Sequence, residues 1–181
     1  QLGVCQLSEK KLPESTATFK LVLATYPQFK HLDGAQFNLG LTLFQAAQTS
    51  KQPNDFKTAA AEFANVPAKF AQSPLAVDAT YYQAESLYLA VDKPNAIVAY
   101  QKVIATYPNA TILPEAFYGL GTTQADLEQH VEAVTTFTTL LQRFPQSPLV
   151  PEAKLRLGTS LVAQKKHAEA ETPCSRAAVE H

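Results

Sequence analysis

Between residues 130 and 148 the chain sets Val131, Val134, Phe137, Leu140, Leu141 and Phe144 at three- and four-residue intervals, then meets Pro145 and Pro148. That spacing gathers the apolar side chains on one stripe of a helix, and the prolines end it because they lack the N–H that a helix needs. Another helix is predicted just before it. Pro114-Glu115 opens that helix, Ala116, Leu120, Gly121 and Gln124 follow at the same spacing, and the polar turn Leu127-Glu128-Gln129 joins the two. Proline suits a first turn, and an acidic side chain there complements the helix dipole. Pro151-Glu152-Ala153 starts a further helix in the same way. No segment sustains a two-residue alternation, so no sheet is expected.

The same pattern recurs along the chain. An aromatic followed by proline stands at Tyr26-Pro27, Tyr107-Pro108 and Phe144-Pro145, with Phe70-Ala71 between the first two. Successive aromatics are 44, 37 and 37 residues apart. Seven residues before each is another aromatic, at Phe19, Phe63, Tyr100 and Phe137, and four before those come Ser15, Ala59, Ala96 and Ala133. A small residue lies 12 positions earlier again, at Gly3, Ala84 and Gly121, and Gly158 precedes Ala170 by the same interval. Gly40 to Ala59 is 19, a surplus of seven that the polar run Gln48–Asn54 takes up as a loop.

A period of 37 built from two amphipathic helices predicts an all-α, right-handed solenoid of stacked antiparallel pairs, about four and a half units long. One pair cannot cover its own apolar stripe, whereas stacked pairs cover each other. The units fall near 1–30, 31–74 with the insertion near 48–54, 75–111, 112–148 and 149–181. Gly40, Ala84, Gly121 and Gly158 mark where the first helix presses on the second. Ala59, Ala96, Ala133 and Ala170 are expected to face them, with the aromatics filling the space between pairs.

Composition narrows the function. The 181 residues carry a formal net charge of −1, which argues against a nucleic-acid partner, because neutralising phosphates requires a basic excess. No run of 18 apolar residues predicts a membrane span. Methionine is absent and the sequence starts at Gln1, so this is expected to be a segment of a longer repeat protein with uncapped ends, a route to self-association. Localisation cannot be read from its start.

Nothing predicts an enzyme, a cofactor or a metal site. His31, His130, His167 and His181 fall in no metal-ligand spacing, and no nucleophile elbow or phosphate-cradling glycine loop is present. His130 and His167 share one repeat position, the start of a second helix. Cys5 and Cys174 belong to the first and fifth units. Stacking at roughly 8–10 Å per helix separates them far beyond the ~7 Å that a disulfide spans. Cys174 takes the slot of Phe63, Tyr100 and Phe137, so it is expected to be buried as a small hydrophobe.

These positions resemble the tetratricopeptide (TPR) repeat, which runs Leu-Gly, Ala-x-x-x-Phe, Pro. Leu-Gly stands at Leu2-Gly3, Leu39-Gly40, Leu120-Gly121 and Leu157-Gly158, with Gln83-Ala84 as the degenerate copy. The additional residues of the 37-residue period follow the terminal proline, as in Phe144-Pro145-Gln146-Ser147-Pro148. That loop style resembles bacterial envelope TPR proteins of the outer-membrane assembly lipoprotein BamD and Tol–Pal coordinator type, which implies the periplasm or cell envelope.

The resemblance implies a concave groove, lined by the first helices, that binds a protein or peptide partner. The positions are Phe37, Leu41 and Phe44 in the second unit, Tyr81, Glu85 and Tyr88 in the third, and Tyr118, Thr122 and Asp126 in the fourth. Leu155, Thr159 and Val162 follow in the fifth. Phe37 and Phe44 can equally be core, whereas a phenol suits a half-wet binding surface. Asp78, Glu115 and Glu152 recur in first turns and serve the helix dipole. Glu85 and Asp126 instead favour basic partners. Groove positions that hold Phe37, Leu41, Tyr81 and Glu85 are not the Lys and Asn of a carboxylate-clamping TPR. The competing expectation is a structural or oligomerising spacer with no groove ligand.

Overall fold

The computed structural model describes the backbone of residues 1–177 and the side chains of residues 1–165. Among the described residues there are nine helices and no strand. They are α1 (Leu2–Ser8), α2 (Leu12–Thr25), α3 (Leu32–Ser50), α4 (Pro53–Lys69), α5 (Ala76–Leu89), α6 (Lys93–Thr106), α7 (Leu113–Asp126), α8 (His130–Arg143) and α9 (Val150–Ala177). The chain forms two compact units, one ending at Ile112 and one starting at Leu113. In the first, each helix from α1 to α5 packs on the next; in the second, α8 packs on both α7 and α9. The fold class is the all-α stack of helix pairs expected from the period.

Local chemistry explains where the helices stop. Tyr26, Tyr107 and Phe144 precede prolines, which bar the helical conformation, and they adopt φ/ψ of −122/64°, −126/63° and −129/57°. Phe70 precedes Ala71 yet takes −132/58°, so this exit is reached without a proline. After it, the Ser73 hydroxyl accepts from the Leu75 N–H at 3.1 Å, and Ser147 accepts from Leu149 at 3.2 Å.

The turns inside the four pairs each hold a residue in the left-handed region: Lys10 at φ 59°, Lys51 at 54°, Val91 at 60° and Glu128 at 61°. Val91 is β-branched and 69% exposed, so it bears the steric penalty without a packing gain. Val91→Gly is expected to stabilise the fold by about 0.5–1 kcal/mol, the strain relieved being larger than the unfolded-chain entropy gained. A higher urea midpoint at unchanged slope would show it; a lower midpoint would refute it.

The surplus of seven residues is not a loop. It lengthens α3 to 19 residues and α4 to 17, where α5 and α6 have 14 each, and leaves only Lys51 and Gln52 between helices. Seven residues are close to two helical turns, so one additional turn on each helix keeps both apolar stripes in phase. The longer tip buries Ala47 and Phe56.

Gly40 and Gly121 mark tight crossings, as does Gly3, whereas Gly158 has no described atom close to its Cβ position; an aromatic rather than an alanine closes each tight crossing. A Cβ on Gly3 would sit 2.9 Å from the Phe19 ring, on Gly40 2.7 Å from Phe63, and on Gly121 2.8 Å from Phe137. The aromatic expected between pairs therefore seals its own pair first. Ala59, Ala96 and Ala133 are fully buried.

The fifth unit departs from expectation. No turn interrupts α9 before His167; the backbone is one 28-residue helix. Gln164 to Glu171 contains only good helix formers and His, with neither Gly nor Pro to stop it. The side chains of His167, Ala170 and Cys174, and all of His181, lie outside the described residues. Cys5 is a free, exposed thiol.

Candidate interaction surface

In the first unit, Tyr81, Glu85 and Tyr88 on α5 are spaced four and three apart, so they share one side of the helix. All three are half-buried. Tyr100, buried on α6, reaches this row from below: its hydroxyl donates to Glu85 Oε1 at 2.5 Å, and its ring lies 6.2 Å from that of Tyr81. Burial pushes the Tyr100 phenol far above its ordinary range, and the Glu85 carboxylate adds to the shift. Tyr100 thus remains a proton donor and fixes the carboxylate between the two surface tyrosines. Glu85 has a structural duty in addition to the acidic spot assigned to it.

The α3 positions divide. Phe37 and Leu41 are half-buried at the edge of an aromatic cluster, Phe37 lying 5.7 Å from Phe63 and 6.1 Å from Tyr82. Phe44 is core, which corrects its placement on a groove. It packs edge-on against Phe56 at 5.8 Å and Tyr82 at 5.8 Å. Tyr82 carried no signal in the repeat, where Asn38 and Gly119 hold the same place, yet it stacks on Phe63 at 5.4 Å and 20°. The one hint was its helical spacing from Ala79 and Ser86, both fully buried.

In the second unit, Tyr118 is half-buried with its ring 6.1 Å from Phe137. Thr122 is buried, again a correction, because its short side chain sits one residue past the tight Gly121 crossing. Asp126 is exposed at the last position of α7, and Leu155, Thr159 and Val162 are exposed on α9. Asp78, Glu115 and Glu152 occupy first turns as expected. The half-buried and exposed candidates therefore lie on α3 and α5 in the first unit and on α7 and α9 in the second.

Buried polar contacts hold the helices in register. Gln36 Nε2 donates to Glu62 Oε2 at 2.7 Å, and Thr136 donates to Gln124 Oε1 at 2.7 Å. Near the start of the chain an apolar hollow of about 670 Å³ opens among Leu2, Val4, Phe19, Val22, Tyr26 and Phe29. Sequence reasoning assigned it to no surface. It lies where α1 contributes seven helical residues and α5 or α7 contributes 14. Among the described residues no three potential metal ligands converge, and no helix is long and apolar enough to cross a membrane.

Paired helices sealed by a glycine–aromatic contact, repeated at a fixed period, define a helical-repeat protein of the TPR class. Solved structures share this fold. A MamA structure is 20% identical over 93% of this chain and 98% of its own, with a TM-score of 0.64. A double mutant of MamA from RS-1 is 16% identical over 94% and 85%, with a TM-score of 0.70. TPR-like repeats of a Podosopora anserina protein described as a kinesin light chain are 12% identical over 97% and 89%, at 0.68. No curated protein matches the chain. Residues 40–173 match YfiO, outer membrane lipoprotein, and the chain belongs to that family.

Proposed function

We propose that this chain is a non-enzymatic scaffold of the bacterial cell envelope that grips a partner peptide or helix on the exposed side of its first helices. The fold class is one of protein–protein interaction. The observation that carries the finer reading is the Tyr81–Glu85–Tyr88 row, two half-buried phenols about a carboxylate held in place by Tyr100. Phenols with one apolar end and one wet end are typical anchors of protein interfaces, and a pre-positioned carboxylate suits a partner with a basic residue. Membership of an outer membrane lipoprotein family supports the envelope setting.

The test is crosslinking from Tyr88 in native cells, followed by affinity measurement with the partner so identified. Tyr81→Ala together with Tyr88→Ala is expected to weaken binding at least tenfold with unchanged helical content. Unaltered affinity in that variant would move the binding surface elsewhere, or leave the chain a spacer without a groove ligand.

A further inference from the structure

Glu85 is a charge without a counter-charge. It is half-buried on α5, yet among the described residues no cation pairs with it, and its one hydrogen bond is the one that Oε1 accepts from Tyr100. Its Oε2 has no partner among them and is reached by solvent. The fold does not require this pair. In two other helix pairs the place of Tyr100 is held by Phe63 and Phe137, each with no exposed surface, so a plain ring fills the space. The place of Glu85 is held by Leu41 and Thr122. Burying a phenol oxygen and half-burying a carboxylate cost desolvation that a phenyl ring and an aliphatic side chain avoid. What the pair accomplishes is orientation. Oε1 is committed to the buried hydroxyl, and Oε2 is left open, with Tyr81 about one turn before it and Tyr88 about one turn after.

We infer that this site takes a lysine of the partner peptide, its ammonium seated on Glu85 Oε2 and its methylene stem lying along Tyr81 and Tyr88. Tyr100 is then the positioning residue that sets a preference for lysine over arginine. The inference rests on the α5 row being a binding surface and names the residue which that row receives. A guanidinium reaches its full strength on a carboxylate through two parallel hydrogen bonds, one to each oxygen. With Oε1 held by Tyr100, the fork has one oxygen to meet. Burial raises the Tyr100 phenol, so it stays protonated and Oε1 stays committed at neutral pH. An ammonium is a compact point charge that a single oxygen satisfies. Its stem covers apolar ring surface while its head remains at the wet edge, and a cation close to phenol rings gains from their quadrupoles.

The probe is a set of pools of short peptides, degenerate at every position but the centre, where lysine, arginine, norleucine or glutamate is fixed. Retention on the immobilised intact chain is expected to favour lysine at least threefold over arginine and at least tenfold over norleucine and glutamate, and to weaken as salt rises. Glu85→Gln still accepts the Tyr100 hydrogen but carries no charge, and should bring lysine down to the level of norleucine. Tyr100→Phe is the diagnostic variant. Phenylalanine already fills this place at Phe63 and Phe137, so helical content is expected to stay unchanged. Releasing Oε1 opens both oxygens, and arginine should then equal or exceed lysine, a change of order that a purely structural role for Tyr100 would not produce. Three results overturn the inference and leave the α5 surface standing: retention that needs Tyr81 and Tyr88 but ignores the central residue, an arginine preference in the native chain, or a lysine preference untouched by Tyr100→Phe. Retention indifferent to Tyr81→Ala with Tyr88→Ala, or no retention of any pool, overturns it together with the reading on which it rests.

Discussion

Phe63→Ala is expected to lower the stability of the first unit by about 3–5 kcal/mol, the range for deleting a fully buried aromatic. Phe63 has no exposed surface and works in two directions. Within its pair the ring covers Gly40, where a Cβ would come within 2.7 Å. Toward the next pair it stacks on Tyr82, and Phe37 and Phe44 close around it at 5.7 and 6.4 Å. Truncation opens a cavity that the neighbours cannot collapse into, because a helix crossing held at glycine distance has little slack. Phe19→Ala provides the comparison. Phe19 seals Gly3 in the same manner but has Ala35 and Leu39 rather than a ring of aromatics around it, so its loss is expected to cost less. Urea denaturation followed by circular dichroism measures both. A cost below about 1 kcal/mol for Phe63→Ala would show that the cluster is not the centre of the unit.

The period made most of this fold legible, because one steric solution recurs at Gly3, Gly40 and Gly121 and an interval of 37, lengthened once by seven, exposes it. What was not legible lay where the solution varies. Seven added residues read as a loop because they are polar, whereas two helical turns' worth of chain can be absorbed without disturbing either stripe. Thr122 read as groove because its register position is held by Leu41 and Glu85 in other units, and burial at that position depends on local crossing distance. The Tyr100–Glu85 bond was readable in principle. Phe63 and Phe137 occupy the place of Tyr100 elsewhere, and the residues opposite in register are Leu41 and Thr122, so the one unit with a phenol is also the one with a carboxylate to receive it. The end of α9 was misplaced for another reason. Repeat register predicts where a second helix would lie, but a turn needs a breaker, and Gln164 to Glu171 offers none.

Gly121→Leu is the sharper test of the crossing geometry, and its sign results from two opposed effects. Leucine is about 1 kcal/mol better than glycine in a helix, so propensity alone predicts a gain. Against it, even the Cβ would lie 2.8 Å from the Phe137 ring, which is itself fully buried against Tyr118, and three further carbons must then be accommodated. Overpacking on this scale costs about 1–3 kcal/mol and prevails once the ring cannot turn aside. Gly158→Leu supplies the reference state, because a Cβ there has no described atom within 4 Å, so the propensity gain is expected to dominate. The difference between the two variants is expected to be about 2 kcal/mol or more, which isolates the ring contact from the backbone effect. Alanine should behave differently from leucine. The third pair carries Ala84 at the register position of Gly121, and Ala84 and Tyr100 are both buried there, so a single methyl group is expected to fit after a small adjustment of the ring and Gly121→Ala to be nearly neutral. Combining Gly121→Leu with Phe137→Leu closes the argument: removing the ring should recover at least ~1 kcal/mol of coupling, as expected for residues in direct contact. Additive losses in that cycle would mean that the glycine is needed for its backbone and not for the ring above it.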